Sequence, residues 1–203
     1  MATDHYFSAE PEKPEIRKPL TVVLDGQSRR LTTSNGIFSP DGIDKGTAVL
    51  LADVPAPPAG GNLLDIGCGW GPIALTLALK SPGATVTAVD VNNRCIALTN
   101  DNARALGLAN VRACLPEEVD PELRFDAIWS NPPIRIGKSE LHSVLMLWLP
   151  RLAPGGNAWL VVQKNLGADS LQRWLAAELP GEYSVRREST AKAFRILRVT
   201  RAA

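Results

Sequence analysis

The feature that most constrains this chain is a glycine-rich segment that follows a short apolar run. It reads Leu63-Leu-Asp-Ile-Gly-Cys-Gly-Trp-Gly-Pro72, with glycine at every second position. The apolar run suits a strand that is buried on both faces in the middle of a parallel sheet. The glycines let the backbone turn sharply and approach a ligand, and the proline suits the first position of a helix. The order strand, loop, helix predicts a nucleotide-cofactor loop; the alternative is a glycine turn with only a structural role.

The spacing of the glycines separates two classes of cofactor loop. Dinucleotide-binding loops follow GxGxxG, whereas this loop is GxGxG and has Pro72 at the place of the third glycine. Asp65 stands where a pyrophosphate would be repelled, but where the ammonium group of an amino-acid moiety would be neutralised. The segment resembles motif I of class I S-adenosylmethionine (SAM) methyltransferases, and this resemblance implies a SAM site.

Composition favours one ordinary globular domain. The 203 residues are 45% hydrophobic and 21% charged. The start of the chain lacks the apolar core of a signal peptide, and no apolar run is long enough to cross a bilayer, so we expect a cytoplasmic protein without membrane contact. Three cysteines without CxxC spacing and two histidines support neither a disulfide framework nor a metal site, so we expect three reduced thiols.

Strand and helix patterns alternate after the glycine loop at the spacing of βαβ units. The predicted strands lie near 62–66, 85–90, 110–115, 125–130 and 157–163, and the predicted helices near 72–80, 93–106, 138–152 and 168–179. Two final stretches, 183–188 and 194–200, have the pattern of an antiparallel pair. The predicted fold is therefore α/β: a doubly wound, mostly parallel, seven-stranded Rossmann-like methyltransferase sheet with an antiparallel C-terminal hairpin.

The N-terminal part has a different pattern. Asp25-Gly26 between two extended stretches predicts a short β-hairpin. Asp44 is a plausible N-cap for an apolar helix from about Lys45 to Val54. We divide the chain into an N-terminal arm and hairpin, 1–33, and a SAM-dependent methyltransferase domain, 34–203. Further along, Pro154-Gly155-Gly156 is expected to stop the helix 138–152, and Trp148 and Trp174 are expected in the core.

Asp90 is the acidic residue that ends the second predicted strand of this domain. Ligands of open α/β sheets bind beyond the carboxyl ends of the strands, so Asp90 is expected near the cofactor. Its carboxylate can accept hydrogen bonds from both ribose hydroxyls. The alternative is that Asp90 caps the following helix.

The third cluster at this edge is Ser130-Asn-Pro-Pro-Ile134. It resembles motif IV, (D/N)PP(Y/F), of methyltransferases that modify amino or amide nitrogens conjugated to a π system. Asn131 Oδ1 and the Pro132 carbonyl would accept the two N–H bonds of the target and aim its lone pair at the methyl group, while the prolines fix the carbonyl direction. Ile134 replaces the usual aromatic residue and would sandwich a ring. The predicted catalytic residues are Asn131, Pro132, Pro133 and Ile134.

Several segments together resemble one branch of these enzymes. They are Asn131-Pro-Pro-Ile-Arg-Ile-Gly-Lys138 with His142, the leader His5-Tyr-Phe-Ser8, and the loop from Gly36 to Thr47. The branch is the small-domain methyltransferases related to the bacterial 16S rRNA guanine-N2 methyltransferases (the RsmC-like group). Its larger members carry a degenerate amino-terminal copy of the domain, which we expect this chain to lack. The resemblance implies a SAM-dependent enzyme that acts on the exocyclic amine of a purine.

The resemblance also implies a set of cofactor contacts. They are Phe38, Asp44, Thr47, Asp65, Gly67, Cys68, Gly69, Gly71, Asp90, Val91, Leu115 and Asn131. Leu115 falls where many relatives have a polar residue near the adenine amine, so adenine recognition is expected to be weaker or to use the backbone.

Basic residues suggest where RNA would lie. Arg135 and Lys138 are expected to hold phosphates beside the target pocket. The net charge of the chain is +1, but residues 181–203 carry six Lys or Arg against two Glu, a local charge of +4. This strip either meets phosphates or is the solvated face of an edge hairpin. His142 is expected to be a polar surface or capping group rather than a general base.

The first hypothesis for function is an RNA methyltransferase that forms N2-methylguanosine in 16S rRNA, acting on RNA or on the small ribosomal subunit as a monomer or homodimer. The second is a protein methyltransferase that modifies the N5 amide of glutamine, since this amide presents the same planar NH₂ group. The third is a SAM-binding or RNA-binding module without catalysis, against which the intact Asp65, Asp90 and Asn131 argue.

Overall fold

The computed structural model describes residues 13–203, and the backbone alone at Arg135. The expectations that involve the leader His5-Tyr-Phe-Ser8 therefore lie outside the described residues. The strands and helices of the described part are β1 (Arg17–Leu24), β2 (Gln27–Ser34), α1 (Lys45–Asp53), β3 (Gly60–Ile66), α2 (Pro72–Lys80), β4 (Gly83–Val89), α3 (Asn93–Ala105), β5 (Val111–Cys114), β6 (Phe125–Ser130), α4 (Lys138–Trp148), β7 (Leu152–Gln163), α5 (Ala168–Glu178), β8 (Tyr183–Ala191) and β9 (Phe194–Arg201).

The main sheet has seven strands in the order β5-β4-β3-β6-β7-β9-β8. The first five strands of this order are parallel, and β9 and β8 are antiparallel to their neighbours. The predicted fold class is confirmed. The chain winds outward from β3 in both directions, so the carboxyl ends of β3 and β6 flank the topological switch point, where open α/β sheets bind ligands.

Helices cover both faces of the sheet. Leu64 and Ile128 pack towards α4 and α5 on one face, and Leu63 and Ala127 pack towards α1 and α2 on the other. This alternation follows from the two-residue period of a strand. Because both faces are covered, polar and charged side chains of the central strands concentrate at the strand ends.

The β1–β2 pair forms a separate two-stranded sheet. The predicted turn is confirmed: Asp25 and Gly26 have φ angles of 48° and 72°, as a tight hairpin turn requires. Leu24 and Leu31 of the hairpin join a buried cluster with α2 and α3. Asn102 of α3 also donates to the Thr32 carbonyl and accepts from its N–H. The hairpin is therefore attached to the main domain by both apolar packing and paired hydrogen bonds.

Two expectations about the helices need correction. The helix that begins at Lys138 ends at Trp148 rather than near residue 152, because Pro150 has no N–H to continue it. Pro154-Gly155-Gly156 therefore does not stop this helix but lies inside β7. Trp148 is buried, as predicted. Trp174 is only half-buried and lies at the margin of the core. There its ring stacks on His142 of α4, with ring centroids 3.3 Å apart.

Residues 13–203 can be searched for membrane-spanning helices, metal sites and disulfides. No helix within 13–203 is long and apolar enough to cross a membrane. The same range contains no group of three or more His, Cys, Asp and Glu side chains arranged to hold a metal ion. The three cysteines are buried and are not joined in disulfides, as predicted.

Candidate active site

A cleft opens at the carboxyl ends of β3 and β6, between the glycine loop and the β2–α1 loop. Its wall consists of Phe38, Ser39, Gly42, Asp44, Thr47, Gly67, Cys68, Gly69, Trp70, Pro72, Ile73 and Asn131. The wall unites predicted residues from three segments that are far apart in the sequence. Asp65, Gly71, Asp90, Val91 and Leu115 lie outside this wall.

The three glycines of the loop have different roles. Gly67 and Gly69 have φ angles of 78° and 58°, and a Cβ on either residue would meet nothing within 4 Å. They leave open space in which a ligand can approach the backbone. A Cβ on Gly71 would instead lie 3.1 Å from Thr99 Oγ1 and 3.2 Å from a carbon of Leu75. Gly71 is therefore required by the packing of α2 against α3.

Cys68 lies between the first two glycines and is buried. Burial raises the pKa of its thiol, so the side chain stays neutral. Its sulfur accepts a hydrogen bond from Thr99 Oγ1 at 3.4 Å. The side chain is thus committed to the core, and the main chain is what this residue offers to a ligand.

Asp65 is completely buried at the end of β3. Its Oδ2 accepts a hydrogen bond from the Ala74 N–H in the first turn of α2, at 3.0 Å. Its Oδ1 is buried without a hydrogen-bond partner. The pKa of this carboxyl is raised to about 8, mainly by burial and to a smaller extent by the nearby charge of Asp90. A buried acceptor without a donor is costly, so Oδ1 is suited to a cationic donor such as an ammonium group.

Asp90 holds the glycine loop from the neighbouring strand. One carboxylate oxygen accepts from the Gly69 N–H at 3.1 Å and the other from the Asn92 N–H at 3.0 Å. Burial raises the pKa of this group. The N-cap of α3 is Asn92, which accepts from the Arg94 N–H, so the alternative role of Asp90 as the helix cap is wrong. A carboxylate has about four acceptor sites, and Asp90 keeps acceptor capacity for ribose hydroxyls.

Three of the predicted cofactor contacts are apolar side chains. Phe38 and Val91 are 47% and 44% exposed, which is unusual for large hydrophobic residues of this protein. Leu115 is half-buried, and its N–H already donates to a Glu118 carboxylate oxygen at 2.8 Å. Backbone recognition of a base through the Leu115 N–H would have to displace this bond. Glu118 is the polar group at this place, and the sequence analysis did not identify it.

Asn131 is held by residues from the start of α1. Its Nδ2 donates to Asp44 Oδ2 at 2.9 Å and to Thr47 Oγ1 at 3.1 Å. Both amide hydrogens are therefore used, and Oδ1 is the atom left to accept a hydrogen bond. Asp44 Oδ2 also accepts from the Gly46 N–H at 2.7 Å, which confirms the predicted N-cap. One carboxylate thus caps α1 and orients the Asn131 amide.

The residues after Asn131 form an inverse γ-turn. Pro133 has φ −76° and ψ 72°, and the Ile134 N–H donates to the Pro132 carbonyl at 2.8 Å. This turn fixes the direction of the Pro132 carbonyl, which retains a second lone pair. Ile134 is half-buried and packs against the core on the α4 face. Part of the Ile134 side chain is therefore buried within the protein and is not available to a substrate ring.

Phe194, at the start of β9, lies near the Asn131 amide, and the sequence analysis did not connect the two. Its Cε1 lies 3.1 Å from the position that a Gly46 Cβ would occupy, and Asn131 Nδ2 lies 3.4 Å from the same position. An aromatic ring is therefore adjacent to the Asn131 amide. The available signal was an aromatic residue directly after the hairpin turn, but nothing in the local sequence connects it with residue 131.

The predicted phosphate contacts and His142 lie beyond the cleft. Lys138 is exposed at the first position of α4. Arg135 belongs to a 3₁₀ turn, Ile134–Ile136, and its side chain is outside the described part of the chain. His142 stacks on Trp174, and burial together with the Lys138 charge lowers the pKa of its imidazole. This ring is a neutral packing group, in agreement with its exclusion as a general base.

Most arginines of the basic C-terminal strip have partners within the protein. Arg187 and Arg195 approach Asp169 with N–O distances of 2.8 and 3.9 Å. Arg198 donates to Asn157 and lies over the ring of a neighbouring tryptophan. Arg201 donates to a main-chain carbonyl of β7. These contacts favour the solvated face of an edge hairpin over a phosphate-binding strip.

Comparisons with known proteins agree with this geometry. Residues 28–198 match the family model described as the methyltransferase small domain. The uncharacterized protein YbxB of Bacillus subtilis is 34% identical over 171 residues, which cover 83% of this chain and 85% of that protein. Ribosomal RNA small subunit methyltransferase C of Shewanella amazonensis is 31% identical over 135 residues, covering 64% of this chain and 39% of that protein.

The fold is also similar to a solved structure, that of the 16S rRNA N2 G1207 methyltransferase of T. thermophilus in complex with AdoMet and guanosine. The TM-score is 0.75 at 22% identity, and the match covers 93% of this chain and 51% of that chain. The chain spans 39% of the Shewanella rRNA methyltransferase and 45% of ribosomal RNA large subunit methyltransferase G of Pseudomonas syringae, to which it is 28% identical. From the family match, this chain belongs to the methyltransferase small domain family and is a SAM-dependent methyltransferase.

Proposed function

We propose that the protein methylates the exocyclic N2 amine of guanine in 16S rRNA. The observation that carries this proposal is the Asn131 amide, whose two hydrogens are held by Asp44 and Thr47 so that Oδ1 is left to accept a bond from an amino group. The rRNA methyltransferases among the relatives support RNA as the substrate class. An enzyme acting on ribosomal RNA would work in the cytoplasm.

The residues of the site fit the methionine and ribose parts of SAM. The unpartnered Oδ1 of Asp65 suits the ammonium group, and the open space at Gly67 and Gly69 suits close approach of the ligand to the backbone. Asp90 would accept from the ribose hydroxyls, and Val91 and Phe38 would cover apolar surface of the nucleoside. When bound, SAM supplies an electrophilic methyl group on a sulfonium.

Asn131 and Pro132 would hold the acceptor nitrogen. The N2 lone pair of guanine is delocalised into the ring, which makes it a poor nucleophile. Two hydrogen bonds, to Asn131 Oδ1 and to the Pro132 carbonyl, would draw the nitrogen towards tetrahedral geometry and direct its lone pair. Positioning of this kind is worth up to about 7–11 kcal/mol in well-oriented systems. The Asp44 carboxylate behind the amide would also favour the positive charge that develops on nitrogen.

Phe194 would provide the planar surface for the base. Its ring is adjacent to the Asn131 amide, and it comes from β9 rather than from the position after the two prolines. Base stacking on an aromatic ring contributes about 1–3 kcal/mol. Phe194 would therefore compensate for the aliphatic Ile134 at the place where related motifs have an aromatic residue.

The test is transfer of label from methyl-labelled SAM to free 16S rRNA, small ribosomal subunits and a protein extract in parallel. Each labelled product is digested to nucleosides or amino acids and identified by mass. We expect N2-methylguanosine from at least one of the two RNA substrates. Label in N5-methylglutamine, or in another nucleoside, would contradict guanine N2 as the methyl acceptor. It would still support SAM as the methyl donor.

A further inference from the structure

Four lysines lie in segments at the edge of the sheet that carries Asn131, whose surroundings form the acceptor side of the site, where the methyl acceptor would bind. Lys45 opens α1, Lys138 opens α4, Lys164 follows β7, and Lys192 lies in the β8–β9 turn. All four are exposed, and none of them makes an ion pair within residues 13–203. The Lys164 N–H donates to the Ala193 carbonyl at 2.7 Å, so the last two segments are adjacent. We call these residues the acceptor-side lysines.

Three of the acceptor-side lysines occupy positions that local structure disfavours. Lys45 and Lys138 are the first residues of helices, where the helix dipole opposes a positive charge. Lys192 has φ 52°, a backbone region in which glycine and asparagine are preferred. Residues that violate local rules without a compensating contact are expected at functional sites.

The carboxylates near the lysines are too few to neutralise them. The partners of Asp44, which are the Asn131 amide and main-chain N–H groups, are neutral, so its carboxylate charge still counts against the lysines. Asp169 is paired with two arginines. Glu140, in the first turn of α4, is the exposed acid nearest in sequence to Lys138. The acceptor side therefore keeps an excess of positive charge, whereas the arginines of the C-terminal strip, to which Lys192 also belongs, are largely paired.

We propose that the acceptor-side lysines bind the phosphates that flank the target nucleotide in RNA. This inference rests on the proposed function, and it assigns the RNA-binding surface to the edge around Asn131 rather than to the face of the C-terminal hairpin. A lysine is a compact charge without a fixed fork of donors. It therefore suits phosphate contacts, which position RNA without reading its sequence. Bound in this way, the strand would pass over the cleft and present one base to Asn131.

The experiment compares two variants that lose the same charge. One is Lys45→Gln/Lys164→Gln/Lys192→Gln, and the control is Arg30→Gln/Arg173→Gln/Arg186→Gln, three exposed arginines away from the cleft. The affinity for a short, fluorescein-labelled single-stranded RNA of mixed sequence is measured as a function of KCl. Each lost phosphate contact lowers the slope of log K against log[salt] by about 0.7. We expect the slope of the lysine variant to fall by about 2 and its Kd at low salt to rise at least about tenfold.

The control should retain the wild-type slope, and both variants should bind S-adenosylhomocysteine like the wild type. An unchanged slope in the lysine variant would overturn the proposal, and so would an equal loss in the control. Competition by poly-glutamate as strong as competition by RNA would also overturn it, in favour of an acidic protein partner. If the wild type binds RNA through the lysines but methylates no guanine, the result supports the lysines as the RNA-binding surface and contradicts guanine N2 as the methyl acceptor.

Discussion

The cofactor half and the acceptor half of the active-site edge are built in different ways. In the cofactor half, Asp65 accepts a hydrogen bond from a main-chain N–H of α2 that is 9 residues away in the sequence. Asp90 accepts from main-chain N–H groups that are 2 and 21 residues away. In the acceptor half, Asn131 is oriented by Asp44 and Thr47, which are 87 and 84 residues away in the sequence. The contacts of the cofactor half thus join residues that are near one another in the sequence, whereas those of the acceptor half join residues that only the fold brings together.

This difference predicts that the two halves can be inactivated separately. Asn131→Ala should lower kcat about 10²–10³-fold, the loss typical of removing one preorganised partner of a developing charge. Its Kd for S-adenosylhomocysteine should stay within about twofold of the wild type, because Asn131 faces the acceptor. Steady-state kinetics with labelled SAM and calorimetric titration measure the two quantities. A large loss of cofactor affinity would show that the halves are not separate.

The reverse separation is expected for Asp65→Asn. This substitution removes the charge of a buried acceptor and should weaken S-adenosylhomocysteine binding by about 2 kcal/mol, or roughly thirtyfold, with little effect on kcat at saturating cofactor. Asp65→Asn keeps the shape of the side chain, which limits the effect on folding. A drop in kcat without a change in the Kd for S-adenosylhomocysteine would contradict the assignment of Asp65 to the cofactor half.

The raised pKa of Asp65 also gives the wild type a characteristic pH dependence. The carboxyl titrates at a pKa of about 8 in the free protein, and pairing with an ammonium group requires it ionised. Cofactor binding below this pKa therefore releases a proton, and affinity should rise from about pH 6 to pH 8 by at most about tenfold per unit. Between the ordinary carboxyl pKa of 3.8 and this raised value, the folded protein holds a proton that the unfolded chain releases, so the free protein should lose stability as the pH rises from about 4 to about 8. Asp65→Asn should abolish the pH dependence of binding.

Two phenylalanines provide a matched pair across the halves. Phe194→Leu keeps apolar packing against Gly46 but removes the aromatic face, so the Kd for guanosine should rise about tenfold while that for S-adenosylhomocysteine stays constant. Phe38→Leu should have the opposite pattern. Both constants can be measured by titration in the presence of the other ligand. Equal effects of Phe194→Leu on both ligands would indicate only a structural role.

The sequence was sufficient to predict the fold and to single out contiguous segments that line the cleft. Residues 62–66 and the loop to Pro72 carry strand, turn and helix signals next to one another, and the N-cap Asp44 is recognisable for the same reason. Phe194 was missed, because its relation to Asn131 depends on how β9 pairs with β7. For the same reason, Lys192 was predicted only as part of the basic C-terminal strip and was not connected with Asn131. The predicted end of this helix near residue 152 was wrong, because Pro150 lacks the N–H that would continue the helix beyond Trp148.

The contact between Asp44 and Asn131 is the central element of this account, and a double-mutant cycle on kcat tests it most directly. Asp44→Asn still caps α1, since asparagine is a good N-cap, but it removes the charge behind the amide. Alone it should lower kcat about fivefold, a coupling near 1 kcal/mol. In the Asn131→Ala background it should have no further effect on kcat. An undiminished fivefold loss in that background would contradict the assignment of Asp44 as the residue that acts through Asn131.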